Sequence, residues 1–147
     1  MQTHERGDAT EAIVVAELKK RGIPVSIPFG DNQRYDAIVE TPDANLLRVQ
    51  IKTGWLNEGK INFHGKTQHT NSQGNTYQKY EDDVDYFVVY TPDLESLHVV
   101  GEHEFDSRMQ LRVEAPKQSQ ASINWADEYR FEGRWPLEVS GATSNRD

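Results

Sequence analysis

Apolar and polar residues alternate twice in close succession, at Tyr35-Asp36-Ala37-Ile38-Val39 and at Leu47-Arg48-Val49-Gln50-Ile51-Lys52. A period of two is the pattern of a strand with one buried face. Between the two runs, Thr41-Pro42-Asp43-Ala44-Asn45 has the composition of a turn. The segments predict a β-hairpin with Ala37, Val39, Leu47, Val49 and Ile51 on its buried side and Asp36, Arg48, Gln50 and Lys52 on the other. A turn centred on Ala44 sets Asp36 opposite Lys52 and Ile38 opposite Gln50. Cross-strand partners lie about 5 Å apart, so a carboxylate, an amide oxygen and an ammonium converge. That trio can hold a hard cation and a water. The simpler alternative is an exposed Asp36–Lys52 pair worth under about 1 kcal/mol.

Upstream, Thr3 to Lys20 follows a helical period, with Ala9, Ala12, Ile13, Ala16 and Val15 or Leu18 as its apolar stripe and Gly22 as its stop. Glu11 has two readings. If the helix begins at Asp8, Glu11 completes a capping box; if it begins near Thr3, Glu11 lies mid-helix and is free to face the hairpin. Ile23 to Pro28 reads as a first strand, placed at an edge by its two prolines. A loop from Gly30 to Gln33 then delivers Arg34 and Tyr35.

Downstream, Lys60 to His64 is a short strand, and residues 65–80 form a polar loop with too little apolar surface to order itself. The acids from Glu81 to Asp85 read as a solvated entry to Tyr86-Phe87-Val88-Val89-Tyr90, a nearly continuous apolar run suited to a sheet interior. Ser96 to Val100 pairs with that strand, Met109 to Val113 alternates as another, and Ile123-Asn124-Trp125-Ala126 forms a packed turn. The chain is therefore α/β, with a central mixed sheet from the strands around Ile23, Asp36, Val49, Phe87 and Val99 and the first helix on one face.

Length and charge narrow this further. The 147 residues fit one domain, expected over 1–135 with a polar tail at 136–147. The lack of cysteine excludes disulfides, thiolate zinc and a cysteine nucleophile. No Gly-x-x-x-x-Gly-Lys segment or serine nucleophile elbow is present. With no apolar run of about 18 residues and no basic-then-apolar leader, a cytoplasmic protein away from membranes is expected. The formal charge of −8, from 24 acidic and 16 basic side chains, opposes contact with phosphates.

The order Glu11, Asp36, then Gln50-Ile51-Lys52 resembles the PD-(D/E)XK nuclease superfamily. Its Gln-x-Lys form is similar to the branch containing group I intron homing endonucleases and small archaeal relatives. The likeness continues through Val25 to Asn32, through Asp85 to Tyr90, and into Ser122-Ile123-Asn124-Trp125-Ala126. Two departures stand out: Tyr35 rather than proline precedes Asp36, and Gln50 stands where most of the superfamily has an acid.

The resemblance implies a restriction-endonuclease-like fold, a mixed β-sheet flanked by helices, and a helix that begins near Thr3. It implies a metal-dependent DNA endonuclease using Mg²⁺, with Mn²⁺ as the alternative. Asp36, Gln50 and Glu11 would be the metal ligands and Lys52 would orient the attacking water. DNA is the implied partner, with Arg34, Lys60, His64, Lys66 and Lys79 as candidate backbone contacts. A homo-oligomer, dimer or tetramer, is expected because two-fold symmetry places two sites on two strands. Two rival readings are a Holliday-junction resolvase of the same fold and a non-catalytic nuclease-like binding module.

Overall fold

The turn between the hairpin strands sets the register of the main sheet. In the computed structural model, which describes residues 3–30, 33–64, 68–71, 74–77, 84–106, 109–118 and 122–138, β2 (Ala37–Glu40) and β3 (Leu46–Thr53) follow α1 (Thr3–Lys20) and a short β1 (Val25–Ser26). Thr41 N–H donates to Asn45 O at 2.9 Å and Ala44 N–H to Thr41 O at 2.9 Å, with Ala44 at φ 66°. The turn is therefore centred on Asp43. Ala37 pairs with Val49 and Ile38 with Arg48, so continuing the register puts Asp36 opposite Gln50, not Lys52 as a turn about Ala44 would have it. A slip of two residues leaves every side chain on its expected face, and Ala37, Val39, Leu47, Val49 and Ile51 are all buried.

Five strands form the main sheet in the order β1-β2-β3-β8-β9, where β8 is Tyr86–Thr91 and β9 is Ser96–Gly101. β3 and β8 run parallel and the other neighbours antiparallel. This is the expected mixed sheet, with β8 in its interior and the proline-flanked β1 at one edge. Asp85, expected to be a solvated strand entry, instead accepts the Arg48 N–H at 2.8 Å and Arg48 Nε at 3.4 Å. β3 begins ahead of β8, and the carboxylate satisfies a backbone donor that no strand residue reaches.

The apolar face of the sheet carries α1. Val14 and Leu18 are fully buried with Ala37, Val49, Ile51, Val88 and Val99, while Thr10 shares a hydrogen bond with Thr53 through their hydroxyls at 2.7 Å. Of the predicted stripe Leu18 alone is buried; Ala9, Ala12, Ile13 and Ala16 are exposed, so the buried face is turned around the helix from them. Both sets have helical spacing, and the long side chains at 14 and 18 remove more apolar area from water than alanines do. Gly22, at φ 77°, ends the helix as expected.

Over the other face lies a second sheet, β10-β5-β4, made of β4 (Trp55–Asn57), β5 (Lys60–Asn62) and β10 (Gln110–Arg112). Ile61, Phe63, Met109 and Leu111 pack with Val89 and Val100 of the main sheet. The chain crosses between sheets at Gly54, where a Cβ would lie 2.6 Å from Thr91 Oγ1 and 2.9 Å from both Ile61 Cγ2 and Val89 Cγ1. Only glycine fits there without displacing both sheets.

Residues 65–80, expected to be an unpaired loop, contain an antiparallel pair, β6 (Gln68–Asn71) with β7 (Gly74–Tyr77), standing as a separate two-stranded sheet. Polar side chains do not prevent backbone pairing across a short turn. At the C-terminal end, Phe131 of α2 (Phe131–Arg134) and Leu137 enter the main core. Tyr86 Oη donates to Glu138 O at 2.7 Å. The remaining tail residues lie outside the described residues. Among those described, no helix is long and apolar enough to cross a membrane.

Candidate active site

Where β2 gives out, Asp36 takes over its pairing role. Its N–H donates to Val49 O at 2.9 Å, and its Oδ2 accepts the Ile51 N–H at 2.7 Å. The carboxylate is thereby fixed to the edge of β3, beside Gln50 and Lys52, which alternation puts on one face. From the other side comes Glu11. Because α1 starts at Thr3, Glu11 lies mid-helix and has no capping role. Adjacent Thr10 is tied to Thr53, which holds this turn of the helix over the end of β3.

The electrostatics couple Glu11 to Asp36 and Asp36 to Lys52. Burial pushes the Asp36 carboxyl above its ordinary pKa, against the opposing pull of the Ile51 N–H and the Lys52 charge. Glu11 is also raised, first by burial and then by the charges of Asp36 and Asp8. Lys52 is lowered by burial, with Asp36 pulling it back up. For Asp36 and Lys52 alike, desolvation outweighs the partner's attraction. Gln50 Oε1 is buried and has no hydrogen-bond donor among the described residues. The described residues contain no group of three His, Asp or Glu side chains placed to share a metal.

A cleft of about 730 Å³ opens beside this unit. Lys52 is the member of the four that lines it, together with Trp55, His64, Pro92 and Asp93. Trp55 is 40% exposed, and its ring lies 5.0 Å from that of His64. The sequence reading did not single out Trp55. Its signal was a lone tryptophan directly after the crossover glycine. Of the other candidate contacts, Arg34 is half-buried on the approach to Asp36, and Lys60 sits in the middle of the second sheet without lining the cleft. Lys66 and Lys79 lie outside the described residues.

A helix-borne acid, an acid at a strand end and a Gln-x-Lys strand around a mixed sheet define a restriction-endonuclease-like nuclease fold. The sequence matches the PD-(D/E)XK endonuclease family over residues 1–132, and the chain belongs to it. Among solved structures, a bacterial homing endonuclease, I-Ssp6803I, superposes with a TM-score of 0.74 at 25% identity, covering 99% of this chain and 100% of that one. Curated protein sequences contain no significant match.

Proposed function

We propose that the chain is a divalent-metal-dependent DNA endonuclease whose site is Glu11, Asp36, Gln50 and Lys52. The observation that carries this reading is Gln50 Oε1, a buried acceptor without a donor among the described residues, on the strand that anchors Asp36, with Asp36 and Glu11 both made reluctant to ionise by burial. An unsatisfied buried acceptor costs about 1–3 kcal/mol. A hard cation with oxygen ligands relieves all three groups together, so the residues fit such an ion. Asp36 and Gln50 would hold it directly and Glu11 through water, with Mg²⁺ or Mn²⁺ as the ion.

Bound there, the ion would supply positive charge to both the attacking and the leaving oxygen of an in-line displacement. The chain's own groups do the positioning. The Ile51 N–H holds Asp36 in one orientation. Lys52 lines the cleft, donates to the attacking water and stabilises charge growing on the phosphate. Its lowered pKa eases transfer of a proton at Nζ. A neutral Gln50 leaves two negative charges rather than three, which softens the repulsion between an acidic chain and DNA but weakens hold on the metal. Cutting both strands with one site per chain calls for two-fold-related copies.

The likeness to a bacterial homing endonuclease favours the homing reading over a junction resolvase, and parallel cleavage of a linear duplex and a four-way junction separates the two. Calorimetric titration with Mg²⁺ tests the site itself. Wild type is expected to give a binding isotherm that Asp36→Ala abolishes; an identical isotherm for both would remove the metal from this site.

A further inference from the structure

A second cavity, about 260 Å³, lies on the far side of the β8–β9 turn from the catalytic cleft. Pro92 and Asp93 of this turn line the cleft, whereas Leu94 and Ser96 line the second cavity. The turn is thus the wall between them. It is held by the Leu94 N–H to Thr91 O at 3.1 Å and by Asp93 Oδ2, which accepts the Leu56 N–H at 2.9 Å.

The second cavity has the chemistry of an oxyanion site. Ser96 Oγ and His98 Nδ1 are buried without a hydrogen-bond partner among the described residues, and His98 is only 4% exposed. Arg112 and Arg130 add two guanidinium groups. Asp127 also lines the cavity; its Oδ1 and Glu132 Oε1 each stand 4.0 Å from Arg130, on exposed side chains, where pairs contribute under about 1 kcal/mol. Hydroxyl and guanidinium donors converging on one space suit phosphate, which arginine binds through two parallel N–H donors. Trp125, 36% exposed on the rim, adds a face on which a base can stack.

The sheet gives the distance between the two sites. Lys52 is paired with Val89, and Val89 with His98, so all three share one face. Two strand spacings make roughly 10 Å, the scale of a nucleotide or two of backbone. We propose that this cavity binds a backbone phosphate of the nucleic-acid strand that enters the catalytic cleft, a short step along the strand from the bond that is cut. The inference rests on the nuclease reading above. It assigns to Ser96, Arg112 and Arg130 the job of fixing the substrate's register.

The test is the salt dependence of binding to a mixed-sequence DNA duplex in EDTA, for wild type, Arg112→Ala, Arg130→Ala and Arg112→Lys, with thermal melts as folding controls. Each alanine variant is expected to weaken binding roughly five- to tenfold on any sequence and to reduce the log–log salt slope by about one, while Arg112→Lys keeps the wild-type slope. Arg130 is exposed, so its variant reports even if Arg112→Ala melts early. Unchanged slopes in folded alanine variants overturn the proposal. Binding of inorganic phosphate that the variants lose, with unchanged DNA slopes, also overturns it by making the cavity a free-anion site. The nuclease reading fails separately, by Asp36-independent cleavage, and neither salt slope bears on that outcome.

Discussion

Asp36 accepts the backbone N–H of Ile51 at 2.7 Å, which locks the acid of one strand between the two functional side chains of the next. The hydrogen bond replaces a strand–strand pairing with a side-chain anchor. A charged group is thereby held at a sheet edge against the desolvation that raises its pKa.

That tension has a pH signature. Asp36 and Glu11 both have raised folded-state pKa values. In the metal-free protein, the stability tied to their uncharged forms is present below the ordinary carboxylate range and is lost as pH rises through the raised values. Asp36→Asn is expected to raise the neutral-pH Tm by roughly 2–4 °C, equivalent to about 1 kcal/mol for this size, and to flatten the loss of stability just above the carboxylate range. Melting curves against pH, with and without Mg²⁺, check this; Mg²⁺ should stabilise wild type and leave Asp36→Asn unmoved.

Gln50→Glu restores the acid that most of the superfamily carries. Cleavage is expected to persist and its Mg²⁺ dependence to shift to several-fold lower concentration, read from plasmid nicking across a metal series. Should the mutant need more metal than wild type, Gln50 Oε1 does not face the ion.

The hairpin's two faces were legible because period-two alternation fixes parity, and parity survived a register slip that set Asp36 opposite Gln50. The buried strand at Tyr86–Thr91 was equally plain from its unbroken apolar run. The helix face was not. Ala9, Ala12, Ile13 and Ala16, with Val15 or Leu18, offered as regular a stripe as Thr10, Val14 and Leu18, and Thr10 reads as polar until its hydroxyl partner on Thr53 is known. Glu11's role hinged on where the helix starts, which the resemblance rather than the local capping signal located. Trp55 and His64 were separated by a strand turn, so their tilted ring contact at the cleft had no one-dimensional trace.

Gly54→Ala introduces a methyl into the junction of the two sheets, within 2.9 Å of Val89 and Ile61. Overpacking of this kind costs about 1–3 kcal/mol. Urea denaturation should show that loss, and because Gly54 lines the cleft next to Lys52, cleavage should fall with it.

Trp55→Ala removes the aromatic face at the cleft mouth. Stacking of a base on an aromatic side chain contributes about 1–3 kcal/mol, so DNA affinity is expected to drop while the Mg²⁺ isotherm stays unchanged. Fluorescence anisotropy alongside calorimetry separates the two effects.

The central claim is that Asp36 and Lys52 divide metal binding and turnover between them. The direct measurement is plasmid nicking in Mg²⁺ by wild type, Asp36→Asn and Lys52→Ala at one salt concentration, paired with each protein's Mg²⁺ isotherm. Asp36→Asn is expected to lose both cleavage and metal binding, and Lys52→Ala to lose cleavage while still binding Mg²⁺, since an ammonium is not a ligand. Cleavage by Asp36→Asn at the wild-type rate would contradict the assignment of this site.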